Sequence, residues 1–371
     1  MSEKVFLALS DGTVYEGRQL GALGESIGEV VFNTSMTGYQ EVLTDPSYAG
    51  QLVNFTYPLI GNYGVNFYDF QSDRIQPTGI IVREACEVPS NWRAQWSLHA
   101  FLLEKNIPAI QGIDTRALTK RIRSSGVLKG IITPEPENAQ AKLESFGSYD
   151  DTDFVLEVST KTPYKWSSSG KEDLDFEEKS GRPRLVVLDC GLKYSILESF
   201  YNAGCNPVIV PCTTSADEIL SMEPHGILLS PGPGDPKRLG SVISEVKKLI
   251  GKKPMFGICL GNQLLCHAVG GETFKLKFGH RGGNHPVKDL NTGQVKITAQ
   301  NHGYAINPDS LKSDVAKITQ INLNDETVEG IEIVGERARS IQYHPEAAPG
   351  PHDCNFYFRE FVEQIRTEAG L

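Results

Sequence analysis

Gly257-Ile258-Cys259-Leu260-Gly261 joins an apolar run, PMFGI, to a segment with helical spacing, GNQLLCHAVG. A cysteine at the tip of such a strand–turn–helix elbow can act as a nucleophile. The flanking glycines keep the tight turn free of bulk, and the N–H groups of a helix N-terminus stabilise negative charge on sulfur. The backbone N–H of Leu260 would face the oxyanion formed when sulfur attacks a carbonyl. A buried structural thiol between packing glycines explains the same five residues, and both readings stand at this point.

Two further segments bear on that choice. Tyr343-His344-Pro345-Glu346 follows the β-prone run ARSIQ. Residues two apart in an extended segment project to the same side. Glu346 can therefore support the His344 imidazole, directly or by fixing the loop, while His344 takes the thiol proton and later protonates a leaving amine. Alone, a histidine near a glutamate is more often a surface pair. A metal reading lacks a third ligand at matching spacing, so no metal is expected. Ser230-Pro231-Gly232-Pro233-Gly234-Asp235-Pro236 ends the apolar run GILLS. Its glycine N–H groups can approach an anion closely, although a plain Pro/Gly turn would look the same. Neither GxxxxGK[ST] nor GxGxxG with a following acidic residue occurs, so no ATP or dinucleotide site is expected on this chain.

The elements that must position these residues follow from periodicity. Beyond residue 182, apolar strands alternate with helical stretches: RLVVLDCG, KYSILESFYNAG, NPVIVPC, SADEILSME, GILLSPG, SVISEVKKLIG, PMFGI and GNQLLCHAVG. That alternation predicts a doubly wound, mostly parallel sheet, and Cys259, His344 and the 230–236 loop fall at the strand ends where open α/β sheets bind ligands. The helix KYSILESFYNAG carries one apolar stripe, Ile196, Leu197, Phe200 and Tyr201. The strand-forming runs FKLKF, QVKITAQ, AKITQIN, GIEIV and ARSIQYH follow, closed by an amphipathic helix around Phe358, Phe361, Val362 and Ile365.

The first 157 residues read differently, as a mixed, strand-rich domain. VFLAL and TVYEG flank an Asp11-Gly12 turn, predicting a hairpin; SLHAFLLEKN and RALTKRIRSSG predict short helices, the second ending at Gly126. Residues 158–182 are polar, charged and poor in aliphatics, the composition of a linker between domains 1–157 and 183–371. A chain of 371 residues is in any case long for one core. A net charge of −10 disfavours generic nucleic-acid binding. The seven cysteines show no CxxC pair and no disulfide framework. With no secretory leader and no long apolar run, a cytoplasmic chain without membrane contact is expected.

PGPGDP, GICLGNQ and HPE, in that order, resemble the class I triad-type glutamine amidotransferases. The resemblance extends through Asn33-Thr34-Ser35-Met36-Thr37-Gly38-Tyr39-Gln40, the stretch Thr44-Asp45-Pro46-Ser47-Tyr48-Ala49-Gly50-Gln51, TYPLIGN at 56–62, GIDTR at 112–116 and KFGHRGGNHP at 277–286. Together these resemble the small subunits of carbamoyl phosphate synthetase over nearly the whole chain outside the linker. The resemblance implies Cys259 as nucleophile forming a γ-glutamyl thioester, His344 as base and acid, and Glu346 as its orienting group. It implies an oxyanion site at Leu260, Gly232 and Gly234, and glutamine contacts from Gln263, Asn301, Gly303, Tyr304 and, from the first domain, Ser47. It further implies a large-subunit partner that holds ATP and Mg, with no cofactor on this chain, in a heterodimer that could assemble further. Asn262 stands where His is frequent in the family, and Tyr304 where Phe is frequent. A free-standing cysteine hydrolase and an inactive scaffold subunit are the rival readings; the first domain speaks against the former and the intact Cys259, His344 and Glu346 against the latter.

Overall fold

The structure, a computed structural model, describes residues 3–174 and 181–371 and divides into two compact units, Met1–Thr152 and Asp153–Leu371.

The first unit is a closed seven-stranded barrel. Its strands are β1 (Lys4–Leu9), β2 (Val14–Gly21), β3 (Ser26–Asn33), β4 (Gln51–Phe55), β5 (Gly79–Ile81), β6 (Pro108–Gln111) and β7 (Leu128–Thr133). They close in the order β1-β2-β6-β5-β4-β3-β7, β7 pairing back onto β1, which leaves no free sheet edge. The expected hairpin is present: β1 and β2 pair antiparallel across the turn at Gly12, whose φ of 86° a side chain would resist. Both expected helices form, α1 (Leu98–Glu104) and α2 (Thr115–Ser125), each with its N-terminus capped by a side chain, Ser97 and Asp114 respectively.

The sequence motifs of this unit are largely spent on holding its own loops. Asn33 Nδ2 donates to the Tyr48 hydroxyl at 2.8 Å, and the Gln40 side chain both donates to Asn66 O and accepts from Asn66 N. Ser47 lies in a single helical turn, Pro46–Tyr48, capped by Asp45, which accepts from Ser47 N at 2.9 Å. The Ser47 hydroxyl is buried and bonds to nothing among the described residues.

The second unit is built on one sheet of eleven described strands. They are β8 (Tyr164–Ser167), β9 (Gly170–Asp173), β10 (Arg184–Asp189), β11 (Asn206–Pro211), β12 (Gly226–Leu229), β13 (Met255–Ile258), β14 (Thr273–Asp289), β15 (Val295–Ile306), β16 (Ala316–Asn322), β17 (Val328–Ile333) and β18 (Ala338–Ile341). The order is β9-β8-β11-β10-β12-β13-β18-β17-β15-β14-β16. Parallel pairing is confined to the five strands from β11 to β18, and every other ladder is antiparallel. The sheet is therefore parallel at its centre rather than throughout.

Both faces of the parallel part are covered, which is why its strands read as continuous apolar runs. Val186 and Leu188 of β10 pack in one core with Val242, Val246 and Leu264; Leu185 and Val187 pack in the other with Ile196, Leu197, Phe200, Phe361 and Ile365. Tyr201 falls outside the stripe's buried part; Arg182 stacks on its ring instead.

Residues 158–182 are a correction. Where composition suggested a linker, β8 and β9 form an antiparallel hairpin that extends the sheet beside β11. Tyr164 and Trp166, two apart on β8, supply the reason: Tyr164 is buried and Trp166 packs on Tyr194 with ring centroids 5.0 Å apart. Two aromatics at strand spacing outweigh the polar residues around them. Residues 175–180 lie outside the described residues. Among the described residues no helix is long and apolar enough to cross a membrane.

Candidate active site

Cys259 sits between β13 and α3 (Leu260–Ala268) with φ 54° and ψ −103°, a conformation a non-glycine residue adopts only when its surroundings compel it. The surroundings are its two glycines and the neighbouring strands. A Cβ on Gly257 would lie 2.6 Å from Gly261 O, and one on Gly261 would lie 2.2 Å from Leu229 O. The turn can therefore press directly on its own helix and on β12. Cys259 N donates to Ile341 O at 2.9 Å, pinning the elbow to β18 as well. We expect Gly261→Ala to unfold this elbow, costing about 3 kcal/mol or more because the opposing atom is backbone and cannot rotate away. Chemical denaturation of the variant checks it; a change below about 1 kcal/mol would contradict the packing argument.

His344 and Glu346 lie on the segment that leaves β18. His344 N donates to Ala299 O of β15 at 2.9 Å, which fixes the start of the loop. The imidazole Nδ1 is 2.7 Å from Glu346 Oε1, so the support is direct. A carboxylate only accepts, so Nδ1 carries the proton and Nε2 is the nitrogen left for chemistry. Nε2 is buried and makes no hydrogen bond among the described residues. Burial alone would push this imidazole down, but the Glu346 charge and the neighbouring Cys259 sulfur raise its pKa to about 10. For Glu346, burial works upward, and Lys193 and His344 overcome it, holding the carboxyl at about 2.

Lys193 is the residue sequence reasoning missed. Its Nζ donates to Glu346 Oε1 and to Ala348 O, both at 2.7 Å, and the pair is buried. Glu346 Oε1 thus serves two donors, while Oε2 has none among the described residues. A signal did exist: Lys193 follows directly on Cys190-Gly191-Leu192 at the C-terminal end of β10, the ligand edge of such a sheet. The Asp189 carboxylate holds that turn by accepting from Gly191 N and Leu192 N.

The remaining expected residues of this unit gather around the elbow. The 230–236 loop is anchored by Ser230, whose Oγ accepts from Cys190 N at 2.8 Å. Gly232 lies so close to the elbow that a Cβ there would be 2.1 Å from Cys190 O and 2.8 Å from Leu260 Cδ2. Gly234 takes φ 87°. Leu260 opens α3, so its N–H precedes the first intrahelical bonds, which run from Asn262 N and Gln263 N to Cys259 O. Asn301 O accepts from the Cys259 thiol at 3.7 Å. Gln263 Nε2 donates to Tyr304 O at 3.0 Å, and Gly303 sits between Asn301 and Tyr304 on β15. Ser47 belongs to the first unit, in the capped turn already described.

His280 of the KFGHRGGNHP segment joins His302 of β15 and Glu329 in a separate buried network. His280, His302 and Glu329 bring three ligand-type atoms within 4.8 Å of one another. Hydrogen bonds engage most of these atoms: His280 Nε2 meets Asp325 at 2.8 Å, His302 meets Tyr304 O and Gln300 Oε1, and Glu329 accepts from Gln300 and Asn322. The network's connection to the site is structural, through the Tyr304 carbonyl.

Comparison with known proteins agrees with this division. Residues 7–132 match the family model for the carbamoyl-phosphate synthase small chain, CPSase domain, and residues 186–364 match the model for class-I glutamine amidotransferases. The carbamoyl phosphate synthase small chain of Syntrophotalea carbinolica is 50% identical over 367 residues, covering 97% of each chain. That of Listeria monocytogenes serotype 4b is 51% identical, covering 98% of this chain and 97% of the relative. The pyrimidine-specific small chain of Bacillus subtilis is 47% identical, covering 97% and 96%. The chain thus belongs to the carbamoyl phosphate synthase small chain family, and its second unit is a class-I glutamine amidotransferase domain.

Proposed function

We propose that the chain hydrolyses glutamine for a large-subunit partner, with Cys259, His344 and Glu346 as its triad. The observation that carries the assignment is the strained cysteine at the head of α3 combined with a buried imidazole whose Nδ1 is tied to a carboxylate. Sulfur attacks the glutamine amide carbon, and its proton passes to His344 Nε2. The tetrahedral oxyanion is met by the N–H of Leu260 and by the loop N–H groups at Gly232 and Gly234. His344 then gives its proton to the departing nitrogen, leaving a γ-glutamyl thioester and ammonia. Water activated by His344 releases glutamate. Glu346 keeps the imidazole oriented and stabilises its charge, and Lys193 holds Glu346 in place.

Gln263, Asn301, Gly303 and Tyr304 would hold the substrate. The ammonia would be consumed by the large subunit, which would supply ATP and Mg and make carbamoyl phosphate from bicarbonate in a heterodimer that could assemble further. The test is covalent labelling with 6-diazo-5-oxo-norleucine, a glutamine-shaped electrophile, followed by peptide mapping. Label on Cys259, protected by glutamine, is the expected result. Burial pushes the thiols of Cys205 and Cys266 up to about 12 and that of Cys354 to about 11, which disfavours their reaction. Label confined to any of those three would overturn the assignment.

A further inference from the structure

The side chain of Gln342, just beyond β18, is fully buried and lies at the centre of a chain of amides that reaches Gln263, one of the residues assigned above to the substrate. The chain starts from a group whose role is fixed. Tyr304 O is a carbonyl and only accepts; Gln263 Nε2 donates to it at 3.0 Å. The same Nε2 donates to Gln342 Oε1 at 3.2 Å. Gln342 Oε1 also accepts from Asn262 Nδ2 at 2.9 Å, and Asn262 Oδ1 accepts from Ser340 Oγ at 2.8 Å.

No amide in this chain can be turned over independently. Rotating Gln263 would set its oxygen against the Tyr304 carbonyl. Rotating Gln342 would set its NH2 against two other NH2 groups. The backbone carbonyl therefore dictates the orientation of all three amides. Two features follow. Both protons of Gln263 Nε2 are committed, and its Oε1 accepts no hydrogen bond among the described residues, so the group this residue offers outward is an acceptor. Gln342 Nε2 is a buried donor without a partner among the described residues, a cost borne on the side away from the bonds that orient Gln263.

We propose that Gln342 is a positioning residue for substrate selection. Held by Asn262, it locks the Gln263 amide with its oxygen facing the substrate, so that the pocket reads a hydrogen-bond donor, the ammonium group of an α-amino acid amide. This rests on the glutaminase reading above. It also gives a role to Asn262, which stands where His is frequent in the family. Its amide supplies both the donor that Gln342 needs and the acceptor that Ser340 needs.

The test compares glutamine with glutaramate, which is glutamine lacking the α-amino group, as substrates of the full chain in complex with its large subunit. In Gln342→Met the lock is lost. The KM for glutamine is expected to rise about tenfold with kcat changed less than about twofold, while kcat/KM for glutaramate stays within about twofold of wild type. The glutamine-to-glutaramate preference therefore falls about tenfold. Gln342→Glu keeps the acceptor and replaces only the unpartnered donor, so it should retain the preference. If Gln342→Met does not fold, Asn262→Leu removes the other donor to Gln342 and must reduce the preference in the same way. An equal loss on both substrates, or an unchanged preference in these variants, overturns the proposal. Wild-type complex that hydrolyses no glutamine overturns the glutaminase reading itself, which keeps the two failures distinct.

Discussion

Cys259→Ser is expected to abolish glutamine-dependent synthesis by the complex with its large subunit, by about ten-thousand-fold or more, while synthesis from added ammonia persists. The two outcomes together make this informative. The substitution exchanges one sulfur for oxygen at a site where the thiol donates to Asn301 O, so the surrounding packing has little to readjust. The backbone at residue 259 keeps its φ of 54° because Gly257, Gly261 and Ile341 O enforce it, not the side chain. Loss of activity would then report chemistry rather than unfolding, which a thermal melt within a few degrees of wild type would confirm. Serine is a poor substitute because the site relies on a nucleophile that gives up its proton readily, and a hydroxyl does so far less than a thiol. The measurement is glutamate release and product formation with either nitrogen source. If the ammonia-dependent reaction vanished too, the separation of nitrogen release from its use would be wrong.

The parts of this site that were legible in the sequence are those encoded locally. The elbow shows itself because a strand, a cysteine between glycines and a helix follow one another without interruption. His344 and Glu346 are legible because strand geometry puts residues two apart on one side, and the structure realises this as a 2.7 Å bond. The alternation of apolar runs after residue 182 foretold the parallel centre of the sheet because those strands are buried on both faces. Lys193 was not legible. Its carboxylate partner is 153 residues away in sequence, and a lysine on a strand-end turn looks like any solvated lysine until the fold closes over it. Gln342 was hidden for a related reason, since an amide next to an active-site motif has no sequence mark that tells its donors from its acceptor. The hairpin at 164–173 was misread because average polarity concealed two aromatics at strand spacing.

Lys193 also shapes what Glu346→Gln should do. The carboxylate's Oε1 takes both donors, His344 Nδ1 and Lys193 Nζ, and Oε2 takes none among the described residues. A glutamine can present its oxygen to the same two donors and put its NH2 where Oε2 was, so shape and hydrogen bonds survive and only the charge is lost. The imidazolium then loses its chief stabilising charge, and the His344 pKa falls from about 10 toward its ordinary value. Activity at pH 7.5 should drop by about a hundredfold or more, since the imidazole can no longer hold the thiol's proton as well. The alkaline limb of the glutaminase pH profile should move to lower pH.

Stability gives the second readout, and its sign follows from the same two groups. His344 has a raised folded pKa, so its contribution is complete below 6.5 and fades as the pH rises through about 10. Glu346 has a depressed one, so its contribution is complete above 4.5 and fades as the pH falls through about 2. The difference in unfolding free energy between wild type and Glu346→Gln should therefore be greatest between pH 4.5 and 6.5 and narrow on either side. Denaturant titrations across that range, run beside the activity profile, separate the charge from the shape. A variant that loses activity with an unmoved alkaline limb and a flat stability difference would show that Glu346 acts by shape alone.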